Sequence, residues 1–230
     1  IGKALAKNLL EQGHTVAGFS RSGKTDELQD VSIHTCDATD PDALESTLKA
    51  LHDELGGIDG YTHAIGSIFL RPAHLTSPED WQKTIRANLD SAFYALRVVS
   101  KIMTKQGSGS CLFFSTAAAQ TGIANHEVIA AAKGGLEAMV RSAAASYSNR
   151  GVRFNAIAPS LTDTPLSKDI LGSEQALEIS KKMHPLGDIT HAADVASLAA
   201  WLHSDAAKFA TGQTFVLDGG ISTVVPKPKA

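Results

Sequence analysis

Short apolar runs alternate with stretches in which apolar residues recur every three or four positions, and this order persists from one end of the chain to the other. Few architectures accommodate it. "IGKALAKNLLEQG" places Ile1, Leu5 and Leu9 at helical spacing ahead of Gly13, so the chain opens inside a helix. "HTVAGFS" and "VSIHTCD" read as short buried strands, the second ending at Asp37. Asp40 and Pro41 then start a helix with Leu44, Leu48, Leu51 and Leu55 on one face, stopped by Gly56 and Gly57. "IDGYTHAIG" is a strand entering a glycine turn. "TSPEDW" caps the next helix through Ser77, Pro78 and Asp80, and Trp81, Ile85, Leu89, Leu96 and Val99 extend its stripe. "GSCLFFS" is a strand, "NHEVIAAAKGGLEAM" a helix, and "GVRFNAIAPS" a strand ending in a proline turn. Residues 166–185 read as a polar, irregular lid, followed by the helix "HAADVASLAAWLHS" and the last strand, "GQTFVLDGG".

Strands that are continuously apolar need cover on both faces. The expectation is therefore a doubly wound parallel sheet in a three-layer α/β/α domain, one domain over residues 1–230. Such sheets bind ligands beyond the carboxyl ends of their strands, here after Ser20, Asp37, Gly66, Thr116 and Pro159. With 21 Lys+Arg interspersed among 24 Asp+Glu, nothing points to nucleic acid or an acidic membrane surface. Cys36 and Cys111 sit in apolar runs without metal-ligand spacing, so they read as core residues of a reducing compartment, and no metal is expected. There is no run of about 18 apolar residues and no basic segment leading into an apolar one. A soluble, cytoplasmic protein acting on a small molecule is expected.

Five segments in order, "NLDSAF", "FFSTAA", "AAAKGGLEAM", "FNAIAPSLTDTP" and "TGQTFVLDGG", resemble the motifs of the short-chain dehydrogenase/reductase family across essentially the whole chain. The resemblance implies a Rossmann-type fold, hydride transfer between a nicotinamide cofactor and a carbonyl or activated enoyl substrate, and a homodimer or homotetramer. Its subunit contacts are expected on the helices after Trp81 and around Leu136–Val140. The family's TGxxxGxG phosphate loop is represented only by Ile1-Gly2, so its first strand and most of that loop are expected to lie outside the chain.

For the cofactor, the end of the second strand is decisive. An acidic residue there serves an unphosphorylated ribose, whereas Ser20 and Arg21 suit a 2′-phosphate, because a guanidinium grips it with paired charge-assisted bonds. NADP(H) is therefore expected. By resemblance, Asp37 and Ala38 meet the adenine, Ala64 and Gly66 the ribose, and Pro159, Ser160, Thr162 and Thr164 the nicotinamide. His63 and Ala64 replace the asparagine pair that braces this strand in the family.

The family divides its chemistry among a serine, a tyrosine, a lysine and an asparagine. Lys133, Asn88 and the hydroxyl of Thr116, with Ser115 beside it, match three of these. The tyrosine position, four residues before Lys133, holds Ile129, and Tyr61, Tyr94 and Tyr147 match no acid position. Enoyl-thioester reductases of the same superfamily place their tyrosine seven residues before the lysine, which is His126 here, and their lysine helix is similar to this one. Histidine is a competent general acid near neutral pH, so His126 or a bound water stands as the proton source. The alternative is that His126 only starts the helix, capped by Asn125, in a protein that binds the nucleotide without turning it over, or that the substrate is a C=C bond whose enolate needs a weaker donor.

Overall fold

The computed structural model describes residues 1–24, 28 and 31–225. The helices are α1 (Gly2–Glu11), α2 (Pro41–Leu55), α3 (Pro78–Ile85), α4 (Ser91–Gln106), α5 (Glu127–Tyr147), α6 (Glu174–Met183) and α7 (Ala192–His203). The strands are β1 (Ala17–Ser20), β2 (Ser32–Thr35), β3 (Gly60–His63), β4 (Gly109–Phe114), β5 (Val152–Pro159), β6 (Thr162–Asp163), β7 (Thr190–His191) and β8 (Thr214–Leu217).

Every described ladder is parallel: β3-β4-β5-β8 form one sheet, β1-β2 a second, and the short β6-β7 a third. No described strand joins β1 to β3. Alternation along β4 shows how both faces are covered. Cys111 and Phe113 enter a core with Leu44 and Leu48 of α2, Val99 of α4 and Leu136 and Val140 of α5, whereas Leu112 and Phe114 enter one with Leu5 of α1 and Val195 and Ala199 of α7. The sheet is thus sandwiched between two helical layers in a single domain. Among the described residues no helix is long and apolar enough to cross a membrane, and no cluster of His, Cys, Asp and Glu could hold a metal.

Local chemistry sets the element ends as expected. Asp40 accepts from the backbone N–H of Asp42 and Ala43 with Pro41 at the first helical position, and α2 ends at Gly56 with φ of 72°. Four expectations are corrected. Trp81 is 44% exposed because α3 and α4 are offset by a π-helical turn, Arg86–Asp90, which breaks the single stripe. Leu55, in the last turn of α2, reaches solvent while Leu44, Leu48 and Leu51 are buried. The supposed irregular lid contains α6, capped by Ser173. Leu136 and Val140 face the core rather than another subunit; the exposed apolar side chains on α3 and α4 are Trp81 and Phe93.

Candidate active site

A cavity of about 1170 Å³ opens at the carboxyl ends of β3, β4 and β5. Its lining gathers Ala64, Gly66, Asn88, Ser115, Thr116, His126, Lys133, Pro159, Ser160, Thr162 and Thr164. Ser20, Arg21, Asp37 and Ala38 stand apart from it, at the ends of β1 and β2.

Lys133 is the electrostatic centre. It is 7% exposed, and its Nζ donates to the Phe114 carbonyl at 2.8 Å. Burial lowers its pKa from 10.5 to about 8, and no described carboxylate lies within ion-pair distance of it. An ammonium has three donors, so one carbonyl leaves it under-satisfied and able to hold hydroxyls of a ligand. Ile129, one turn earlier on α5, is buried and contributes an apolar surface to the same cavity.

Asn88 sits fully buried in the π-helical turn. Its Oδ1 accepts from the Ser67 N–H at 3.1 Å, and its Nδ2 donates to Ser67 Oγ at 2.9 Å and to the Thr84 carbonyl at 3.0 Å. Gly66 is the pivot of this region. A Cβ there would lie 2.7 Å from Asn88 Oδ1, so any larger residue would have to displace Asn88, whereas Lys133 Nζ, at 3.5 Å, would be in ordinary contact.

His63 restores a brace that its replacement of asparagine put in question. The Ser91 hydroxyl donates to the Ala87 carbonyl at 2.9 Å, so it accepts from His63 Nε2 at 3.0 Å; Nδ1 then accepts from the Tyr61 hydroxyl at 2.9 Å. Burial, aided by the Lys133 charge, lowers the His63 pKa to about 3, which keeps this neutral tautomer throughout the working pH range. The chain ties β3 to the turn that carries Asn88. His63→Leu is expected to cost about 1–3 kcal/mol by stranding buried polar partners; an unchanged denaturation midpoint would contradict the network.

The two adjacent hydroxyls are not equivalent. Ser115 Oγ donates to Glu137 Oε1 at 2.5 Å, and Gln120 Nε2 donates to the other carboxylate oxygen, so Ser115 has spent its proton inside the protein. Thr116 Oγ1 accepts from the Ala118 N–H at 3.3 Å and keeps its own hydrogen. Thr116 is therefore the hydroxyl able to donate into the cavity. Glu137, one turn past Lys133 and 4% exposed, was not recognisable as a site residue, although a carboxylate in the apolar run "GGLEAMV" was a signal.

His126 is the N-cap residue of α5; Asn125, expected as the cap, is instead left-handed with φ of 66°, a conformation asparagine tolerates. The His126 Nδ1 lies 2.7 Å from the Ala124 carbonyl, which can only accept, so Nδ1 carries a hydrogen and Nε2 is free to exchange one. At the opposite wall Ser160 does more than close a turn. Buried His184 donates from Nδ1 to the Ser180 carbonyl at 2.7 Å, and the Ser160 hydroxyl reaches its Nε2 at 2.8 Å and Thr190 Oγ1 at 3.0 Å. This pair fastens α6 to the loop after β5, and nothing in the sequence marked His184. Thr164 shares its hydroxyl with Ser167 at 3.2 Å, and Thr162 Oγ1 donates to the Ser160 carbonyl at 3.0 Å.

At the second cluster, Ser20 Oγ accepts from the Gly23 N–H at 3.1 Å, and Asp37 Oδ1 accepts from the Thr39 N–H and hydroxyl at 2.9 and 2.8 Å. Those bonds, with the Arg21 charge behind them, hold Asp37 below the usual carboxylate range. Arg21 is exposed and Ala38 buried.

A family model described as enoyl-(acyl carrier protein) reductase matches residues 1–222. Over 96% of its length the chain is 27% identical to 3beta-hydroxysteroid dehydrogenase 1 of Eggerthella lenta, covering 89% of that protein. It is 30% identical, again over 96% of its length, to the 3-oxoacyl-acyl-carrier-protein reductase FabG of Vibrio cholerae, covering 92% of it. A solved short-chain type dehydrogenase/reductase from Mycobacterium ulcerans superimposes with a TM-score of 0.89 at 27% identity, over 96% of this chain and 85% of that one.

Proposed function

The chain belongs to the short-chain dehydrogenase/reductase family, and from that premise we propose that it is an NADP(H)-dependent reductase acting on a carbonyl or activated enoyl group. The family uses nicotinamide cofactors. One observation carries the reading: a buried, under-satisfied lysine, a fully buried asparagine and a threonine hydroxyl with a free hydrogen line one cavity around a glycine against which the asparagine packs closely.

The fit of a nicotinamide cofactor rests on the cavity beside Gly66, where Asn88 packs against the glycine, and on the unused donors of Lys133. Ala64, Gly66, Lys133, Pro159, Ser160, Thr162 and Thr164 would hold its nicotinamide end, and Ser20, Arg21, Asp37 and Ala38 its adenosine end, with Arg21 favouring a 2′-phosphate. When bound, the cofactor supplies a hydride. The protein's part is to hold the oxygen on which charge develops: Thr116 donates to it, and the Lys133 ammonium stabilises its negative charge. Asn88, anchored by three hydrogen bonds, fixes the turn beside the reacting group.

The closing proton comes from His126 Nε2 or from water. Because Nδ1 already donates to Ala124, His126 gives a proton from Nε2 only as the imidazolium. His126→Phe is expected to lower kcat by about 10²-fold, with the loss greatest at acidic pH. Unchanged turnover from about pH 6 to 8 would remove His126 from the mechanism.

A second reading, binding of the nucleotide without turnover, draws on one observation. Ile129 fills the acid position, and none of Tyr61, Tyr94 and Tyr147 lines the cavity. NADPH oxidation with a ketone and with the matching enoyl thioester separates these cases and tells carbonyl from C=C reduction. A homodimer or homotetramer is proposed through α3 and α4, where Trp81 and Phe93 are 44% and 50% exposed.

A further inference from the structure

We propose that the substrate of this site is an uncharged molecule with an apolar body that presents a single reducible carbonyl to Thr116 and Lys133. The proposal rests on the reductase reading. Beyond those two residues the large aliphatic side chains of the cavity wall include Ile68, Leu70, Ile129, Leu166, Ile170 and Met183. They come from three segments remote in sequence: the stretch after β3, the first turn of α5, and the stretch from the end of β6 to the end of α6. Ile68, Leu70, Leu166 and Met183 are 39%, 38%, 57% and 52% exposed, so four large apolar side chains converge on the cavity with much of their surface in water. An occupant with apolar surface recovers that loss of burial; a hydrated one does not.

Charge narrows the class further. Apart from Lys133, the Lys and Arg side chains lining the cavity are Lys3 and Lys7, both on α1, while the acidic residue beside the apolar wall is Asp163. The α1 edge begins where Gly2 lies against Ala64, on the side assigned to the cofactor. No described lysine or arginine on the apolar wall can pair with a substrate carboxylate or phosphate, and Asp163 repels one. A polyhydroxylated substrate fares no better against this part of the wall, because hydroxyls facing the aliphatic side chains are left desolvated and unpaired. Ile129 adds to this: where a phenol would offer a polar edge, the wall is hydrocarbon.

The test uses three carbonyl probes, decalone (apolar, uncharged), fructose (polyhydroxylated) and acetoacetate (anionic). Each is read twice on the NADPH-loaded protein, by NADPH oxidation and by the change in fluorescence of bound NADPH. Decalone is expected to bind and to be reduced with kcat/KM at least about tenfold above the other two. Equal or better use of fructose or acetoacetate overturns the proposal and leaves the reductase reading intact. Binding of decalone without turnover removes the reductase reading and the proposal with it, whereas no binding of decalone, with either of the other probes reduced, overturns the proposal alone. Leu166→Asp and Met183→Asp, at side chains more than half exposed, are expected to raise the KM for decalone about tenfold with the affinity for NADPH unchanged; an unchanged KM also counts against it.

Discussion

Replacing Lys133 with methionine is expected to lower kcat/KM by about 10³-fold while the protein stays folded. The side chain keeps its length, so the packing beneath it survives. What is lost is a buried ammonium and the donor to the Phe114 carbonyl. These act oppositely on stability: an unpaired buried charge opposes folding, whereas its bond to a backbone carbonyl favours it. The thermal midpoint should therefore move little while activity collapses, and activity within a few-fold of the parent would contradict the role assigned to Lys133. The pH dependence follows in sign. Burial lowers the pKa to about 8, so the cation that steadies the developing oxyanion is present below that pH, and kcat/KM should fall along a basic limb as pH rises through it. For stability, the charged group opposes folding below about pH 8, and that cost fades as pH rises from there towards 10.5.

Gly66→Ala is the second large effect. The new methyl would lie 2.7 Å from Asn88 Oδ1 and 3.5 Å from Lys133 Nζ. A flexible side chain could swing clear, but Asn88 is held by three hydrogen bonds to Ser67 and Thr84 and is fully buried. Relief must therefore come from the turn itself, at about 1–3 kcal/mol. Displacing Asn88 and the turn that carries it should cost about 10²-fold in kcat/KM. Gly134→Ala is the control. It adjoins Lys133 on α5, its added Cβ meets nothing within 4 Å, and a helical alanine should be neutral or stabilising by about 0.5–1 kcal/mol. Equal damage from both substitutions would contradict the steric account.

The alternation of apolar runs and helical stripes was enough to read the fold, because each strand must be covered twice and each helix once. Position along the chain also placed Gly66 and Thr116 at strand ends, and the family resemblance singled out Lys133 and Asn88 on helices. What could not be read is relative orientation. A π-helical turn inserts no unusual residue, so the offset that buries Asn88 and exposes Trp81 has no signature in "IRANLDSAF". Ser115 and Thr116 look interchangeable in sequence; they part only when Glu137 is seen to take the proton of one. His184 was invisible because its partners, Ser160 and Ser180, lie 24 and four residues away and reach it from different segments. His63 shows the converse: a substitution that looked damaging proves to be a fully paired link once Tyr61 and Ser91 are placed around it.

The central claim, a pocket built for NADP(H), is tested most directly by fluorescence titration of the protein with NADPH and, in parallel, NADH. The account predicts NADPH binding at least about tenfold tighter than NADH, from charge-assisted bonds between the 2′-phosphate and the Arg21 guanidinium, with that preference abolished in Arg21→Glu. Binding of neither nucleotide, or tighter binding of NADH, would contradict it.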